Sequence, residues 1–204
     1  MPSTAATSAN SNADPAIEER ILDAALLRFG RVGVKKTTIE DIARQAEVDR
    51  VTVYRRIGSR DDVVRAVTDR EVRRLLAELG EIPSRHETFE DTVVATFVTV
   101  IMRWRSHPLV EQLLTLEPER LLPQLTIEGG PFFTLSIAAA TGILRDVVRD
   151  KGIPDIPDLA ARVEVAGRLV HSLILQPVGA IDTDSEAALA AFARDYIVPI
   201  LIRS

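Results

Sequence analysis

From Ile17 onward, apolar residues recur at helical spacing. Ile17, Ile21, Ala25 and Phe29 stand four apart, Leu22 and Leu26 fill the same side, and Gly30 and Gly33 end the segment. Thr38 with Asp41 three residues on forms a capping box in which Asp replaces the usual Glu, and Ile39, Ile42, Ala43 and Ala46 mark the inner face of a short second helix. After a tight turn, Asp49 is placed to cap a third short helix that runs through Ile57. Ser59, followed by Asp61 and Asp62 at a positive helix end, opens a longer fourth helix that Gly80 and Pro83 close. Five more apolar-periodic segments follow, at about residues 89–106, 109–122 (interrupted at Pro118), 131–151, 157–176 and 185–202. Strand alternation is sustained nowhere. The β-branched run 97–101 has flanks that continue the 3.6-residue period and reads as buried helix. No repeat of solenoid length occurs. The pattern predicts an all-α protein.

Composition agrees with that picture. The chain has 204 residues, 46% hydrophobic and 27% charged, which suits a globular fold and excludes a disordered or membrane class. With no cysteine, disulfide frameworks, thiolate metal sites and Cys nucleophiles are excluded, and a reducing cytoplasmic location is expected. Residues 1–15 are polar and alanine-rich, without a basic start or an apolar run, so they are expected to form a disordered tail rather than a secretion signal or membrane anchor.

Net charge is −5, which argues against a nucleic-acid partner until its distribution is considered. Residues 17–80 hold 14 Lys/Arg against 12 Asp/Glu, whereas residues 81–204 hold 11 against 17. Between positions 50 and 60, Arg50, Arg55, Arg56 and Arg60 stand without an acid, a local +4 suited to phosphates.

Catalytic patterns are weak. His86, His107 and His171 are far apart, with no HExxH or paired-ligand spacing, and His171 among Leu169, Val170 and Leu173 suits a core or pocket-edge imidazole. No GxSxG, Walker A or GxGxxG occurs, and Gly129-Gly130-Pro131 reads as a helix break. Glu117 and Glu119, two apart, do not share a helix face. No catalytic set, metal site or cofactor is expected.

Residues 38–57 instead lay out a short helix, a turn of about three residues and a second short helix, the helix-turn-helix arrangement. Val48, Val53 and Ile57 supply its inner face. Arg50, Val51, Thr52 and Arg55 point outward, where Arg pairs with guanine and the Val and Thr methyls meet thymine; Tyr54, Thr38 and Arg60 are placed for phosphates.

The string from Thr37 through Ala43 and from Val48 through Val63, together with Phe29 and Gly33, closely resembles the DNA-binding domain of TetR-family transcriptional regulators over about residues 17–75. The resemblance implies a helix-turn-helix head (residues 16–80 with its linking helix) and a helical ligand-binding and dimerising body (residues 81–204). It also implies Thr38 as a phosphate-touching cap, Thr52 as a base or phosphate contact, and Tyr54 and Arg60 as phosphate contacts. Three departures stand out: Arg60 where Lys is usual, Glu47 at a turn position where Gly is common, and Ile57 for Phe. The expected function is a ligand-responsive repressor that binds a palindromic duplex operator as a homodimer. The alternative is a helical small-molecule-binding or interaction protein that has lost DNA binding.

Two expectations concern the body. Val163, Gly167 and Val170 on one helix, and Ala188, Ala191 and Phe192 on the next, form stripes suited to a homodimer interface, unless both face their own chain's interior. Phe97, Ile101 and Trp104, with Phe133 and Ile137, are candidates to line a pocket for a small, largely apolar effector oriented by Thr141, His171 and Gln176. Ordinary core packing accounts for the same stripes.

Overall fold

The computed structural model describes residues 15–202, and the tail expected at residues 1–15 lies outside them except for Pro15, which begins the first helix. The chain is all-α, with no strand among the described residues. Its helices are α1 (Pro15–Val32), α2 (Ile39–Gln45), α3 (Arg50–Arg56), α4 (Arg60–Glu81), α5 (Phe89–Ser106), α6 (Pro108–Leu116), α7 (Pro118–Leu125), α8 (Gly130–Asp150), α9 (Leu159–Leu175), α10 (Glu186–Phe192) and α11 (Val198–Ile202), the last two joined by a π-helical turn at Ala193–Ile197. A 3-10 turn, Ile82–Arg85, follows α4 where Pro83 ends regular helix.

Two compact units divide inside α4, after Asp69, rather than at its end near residue 80 as expected. The early half of α4 belongs to the first unit, with Val63 and Val67 fully buried there. In that unit Ile21, Leu22, Ala25 and Phe29 of α1, Ile42 and Ala43 of α2 and Val53 of α3 form the core, as the periodicity predicts. Gly33, at φ 84, turns the chain out of α1, and buried Thr37 donates its hydroxyl to Gly33 O at 2.7 Å.

The second unit gathers Phe89, Val93, Val94, Phe97 and Ile101 of α5, Leu144, Val147 and Val148 of α8, Leu159, Val163 and Ala166 of α9, and Leu189, Phe192, Ile197, Val198 and Leu201 of the C-terminal segment around one core. Phe97 and Phe192 are ring neighbours there, 5.7 Å between centroids. Their burial corrects two expectations. Phe97 and Ile101 are packed core rather than pocket wall, and Val163 and Phe192 serve their own chain's interior rather than a dimer face. Gly167 is likewise an intrachain contact: a Cβ there would collide with Ile137 Cδ1 on α8, so the missing side chain lets α8 and α9 approach. The helix Gly130–Asp150 is long and apolar enough to cross a membrane by length and composition. Its Thr141, Leu144, Val147 and Val148 are packed inward, while Phe132 and Leu135 remain exposed.

Candidate nucleic-acid interface and groove

The first unit is held by local caps. Thr38 N donates to Asp41 Oδ2 at 3.1 Å, and Asp41 N donates back to Thr38 Oγ1 at 3.1 Å, which closes the box at the start of α2. Asp49 Oδ1 accepts from Thr52 N at 2.6 Å and starts α3. At α4, Asp62 Oδ2 accepts from Ser59 N at 2.8 Å while Asp62 N donates to Ser59 Oγ at 3.3 Å. Gly58 makes this last box possible: its φ is 121 and a Cβ would sit 2.6 Å from Asp62 Oδ2. These bonds stabilise the ionised carboxylates. The Thr38 hydroxyl and N–H lower the Asp41 pKa, the Thr52 N–H lowers that of Asp49, and the Ser59 hydroxyl and N–H with Arg65 hold Asp62 down at about 2.

Caps at both ends of the turn fix what α3 presents. Val53 is fully buried, whereas Val51 is 71% and Tyr54 45% exposed, and Arg50 and Arg55 lie on the outer surface. The Arg50 guanidinium stacks 5.3 Å from the Tyr54 ring centroid, which orients both groups on that surface. Thr52 is half-buried at the first turn, with its N–H committed to Asp49. Arg60 reaches back to Lys35 O at 3.2 Å, and so lies against the α1–α2 loop. That loop carries a signal the sequence reading missed. Lys35 and Lys36 are both exposed immediately before the capped α2, a position where adjacent cations and a positive helix end attract phosphate.

In the second unit, a groove of about 700 Å³ runs between α9 and the segment from α7 into α8. Phe133, Ile137, Leu125 and Leu175 give it an apolar floor, and Glu164, Arg168, His171 and Ser172 of α9, with Gln176 at its C-cap, form a polar stripe. Phe133 is flanked by two cation-capable groups: the Arg168 guanidinium 5.3 Å from its centroid, and the His171 ring at 5.7 Å. Arg168 also bonds Glu164 Oε1 through Nε at 3.0 Å. His171 Nε2 is buried with no hydrogen-bond partner among the described residues. Of the expected pocket residues, Phe133, Ile137, His171 and Gln176 therefore come together here. Trp104 on α5 is not part of the groove wall, and Thr141 is buried with its hydroxyl donating to Ile137 O of its own helix at 2.7 Å. Glu164 and Arg168 were missed, because an i,i+4 acid–base pair reads as a solvated helix face until the facing helix is known. No group of three or more potential metal ligands assembles among the described residues.

Comparison with known proteins bears on both units. Residues 21–67 match the family model described as bacterial regulatory proteins, tetR family. About nine-tenths of the chain is similar in fold to solved structures, three of which are from bacterial proteins. The TetR family repressor AlkX from Dietzia sp. strain DQ12-45-1b, implicated in biodegradation of n-alkanes, is 22% identical, with 89% of this chain and 93% of that chain covered and a TM-score of 0.61. A protein described as a TetR-family transcriptional regulator from Mesorhizobium loti MAFF303099 is 16% identical over 93% and 97% of the two chains, with a TM-score of 0.64. The fatty acid degradation regulator FadR from Bacillus halodurans is 13% identical over 92% and 95%, with a TM-score of 0.58. Comparison with curated proteins gives no significant match.

Proposed function

We propose that the chain, whose residues 21–67 match the model of bacterial regulatory proteins of the tetR family, is a homodimeric, ligand-responsive repressor that binds a palindromic duplex operator in the cytoplasm. The observation that carries the reading is the twice-capped turn, which leaves Arg50, Val51, Tyr54 and Arg55 outward on α3 while Val53 is buried beneath them. Arg50, Val51, Thr52 and Arg55 are the base-reading candidates. Thr38, Tyr54 and Arg60, joined by Lys35 and Lys36, are the phosphate-holding ones. Selection of bound sequences from a random duplex pool tests this, the expected result being a palindrome with two half-sites. Recovery of no enriched sequence overturns it.

Dimerisation is assigned to the outer faces of α9 and the C-terminal segment. Val165 and Leu169 are exposed on α9, one helical turn apart, while Ala187, Ala191 and Tyr196 are exposed on the last segment. Ala191 stays in the interface; Val170 and Ala188 are half-buried and border it. A two-fold pairing covers these apolar faces and presents two copies of α3 to one duplex. Sedimentation of the Val165→Glu variant is expected to give a monomer.

The groove on α9 takes a small, largely apolar effector, and its volume lies in the range of ordinary ligand sites. The unpartnered His171 Nε2 supplies a polar anchor beside an apolar floor. Release of DNA requires that this effector bind one conformation better than the other. A compound that releases the operator from the native protein is expected to lose potency with His171→Leu, without change in operator affinity when it is absent. The chain carries out no catalysis in this reading.

A further inference from the structure

We propose that Arg20, on α1, is a positioning residue for operator recognition, tying the first helix to the turn that aims α3. The inference rests on the DNA-binding reading above and adds a residue that reading does not use.

The turn between α2 and α3 is a helix end of unusual composition. Val48 N donates to Ala43 O at 3.0 Å and Glu47 N to Arg44 O at 3.3 Å, the paired bonds of a helix terminus closed by a left-handed residue. That residue is Glu47, at φ 55, where a side chain opposes the backbone and glycine does not. Two residues further on, Asp49 caps α3, so any drift at Glu47 passes directly into the direction of the recognition helix.

Those two bonds leave the carbonyls of Ala46 and Glu47 at the end of α2 to find donors elsewhere. Arg20 supplies both: one terminal guanidinium nitrogen donates to Ala46 O at 2.6 Å and to Glu47 O at 3.3 Å, across 26 and 27 residues of sequence. A cation at a helix C-terminus is also favoured by the helix dipole. The arginine thus holds in place a non-glycine residue whose backbone is left-handed. Arg20 is exposed, so its removal leaves the core of Ile21, Leu22 and Phe29 intact.

If Arg20 acts by restraining Glu47, the need for it should fall when position 47 no longer resists the left-handed conformation. The test compares the full-length native protein with Arg20→Ala, Glu47→Gly and the double variant on a duplex recovered by selection, at several salt concentrations, alongside amide exchange at Val48 and Thr52. Arg20→Ala is expected to weaken binding about five- to tenfold, the worth of one ordinary hydrogen bond. Exchange at Val48 should speed up, with the salt dependence unchanged. Adding Glu47→Gly should restore most of the affinity and the protection.

Three outcomes overturn the proposal: Arg20→Ala binding within twofold of native with unaltered exchange, a double variant as weak as Arg20→Ala, or a salt slope reduced by about one, which would make Arg20 a phosphate contact instead. If the native chain itself enriches no duplex, the DNA-binding reading is what fails. Exchange at Val48 in the four proteins then decides whether Arg20 restrains the turn.

Discussion

Helices α2 and α3 are seven residues each, whereas α5, α8 and α9 run to 18, 21 and 17. A seven-residue helix has almost no stability of its own in water, because nucleation costs as much as its few bonds return. The first unit therefore spends side chains on its ends: Thr38 with Asp41, Asp49 with Thr52, Ser59 with Asp62, and Arg20 across the turn. The second unit relies on length and on a shared core around Phe97 and Phe192, and four of its helices begin without a side-chain cap bond, α6 at His107, α7 at Glu117, α8 at Gly129 and α9 at Asp158. The unit read as touching DNA is fixed by short-range polar bonds that define direction. The unit read as sensing a ligand is fixed by apolar packing, which leaves room beside Phe133 for a groove.

The most damaging test of this contrast is a core truncation in the second unit. Phe97→Ala removes a 3% exposed ring that abuts Phe192 and is expected to cost about 3–5 kcal/mol, read as a fall in the thermal unfolding midpoint. Amide protection around Val53 in the first unit should survive at temperatures where protection around Leu144 is lost. Simultaneous loss of both would show that the units share one cooperative core, and the contrast would fail.

The same contrast explains what could be read from sequence. Caps and glycine stops are local, so Thr38, Asp49 and Ser59 located α2, α3 and α4, and Glu47, which the resemblance set at a turn position where Gly is common, takes up the left-handed conformation there. The groove and the dimer face depend on which helix lies opposite, and periodicity is silent on that. On α9, Val163 and Ala166 turn inward while Val165 and Leu169 turn outward, yet both sets are apolar stripes at helical spacing. Phe97 and Trp104 share a stripe in sequence, but only contact with Phe192 reveals that the first of them is core.

Next in size come changes on the outer face of α3. Arg55→Ala is expected to cost about 1–3 kcal/mol of operator affinity and to relax preference at one position in each half-site, seen by repeating the duplex selection with the variant. Tyr54→Phe, which deletes a phosphate-directed hydroxyl, should weaken all sequences alike. Neither residue is buried, so thermal stability should remain within about 0.5 kcal/mol of native. A variant with native affinity and unchanged preference would remove that residue from the interface.

Two matched cap deletions sharpen the comparison further. Thr38 caps the seven-residue α2, and Thr88 caps the 18-residue α5 through the same side-chain bond, Asp91 N donating to Thr88 Oγ1 at 3.0 Å. Each Thr→Ala change is expected to cost about 1 kcal/mol. Their reach should differ. Loss of Thr38 should speed amide exchange along the whole of α2, whereas loss of Thr88 should fray only the first turn of α5, whose Val93, Val94 and Phe97 stay buried. Equal spread in both helices would mean that length and core contribute nothing to the difference.

The smallest effect expected is acid sensitivity, and it should appear first at the caps of the first unit. Asp41, Asp49 and Asp62 each have a folded pKa below the ordinary 3.8, chiefly because Thr38, Thr52 and Ser59 respectively donate to the ionised form. For a carboxylate held below its unfolded value, the stabilisation is fully present above the unfolded pKa and is lost as pH falls through the folded one. The window for Asp62 thus runs from about 4 down to its folded value of about 2. Amide exchange at the start of α4, followed from pH 5 to pH 2.5, should show protection falling across that range in the native chain. Asp62→Asn keeps an acceptor for the Ser59 N–H but cannot ionise, so its protection should start lower and stay flat over the same range. A native-like pH dependence in that variant would mean that the carboxylate charge is not what holds the head of α4, and that the φ of Gly58 and the Ser59 hydroxyl fix it unaided.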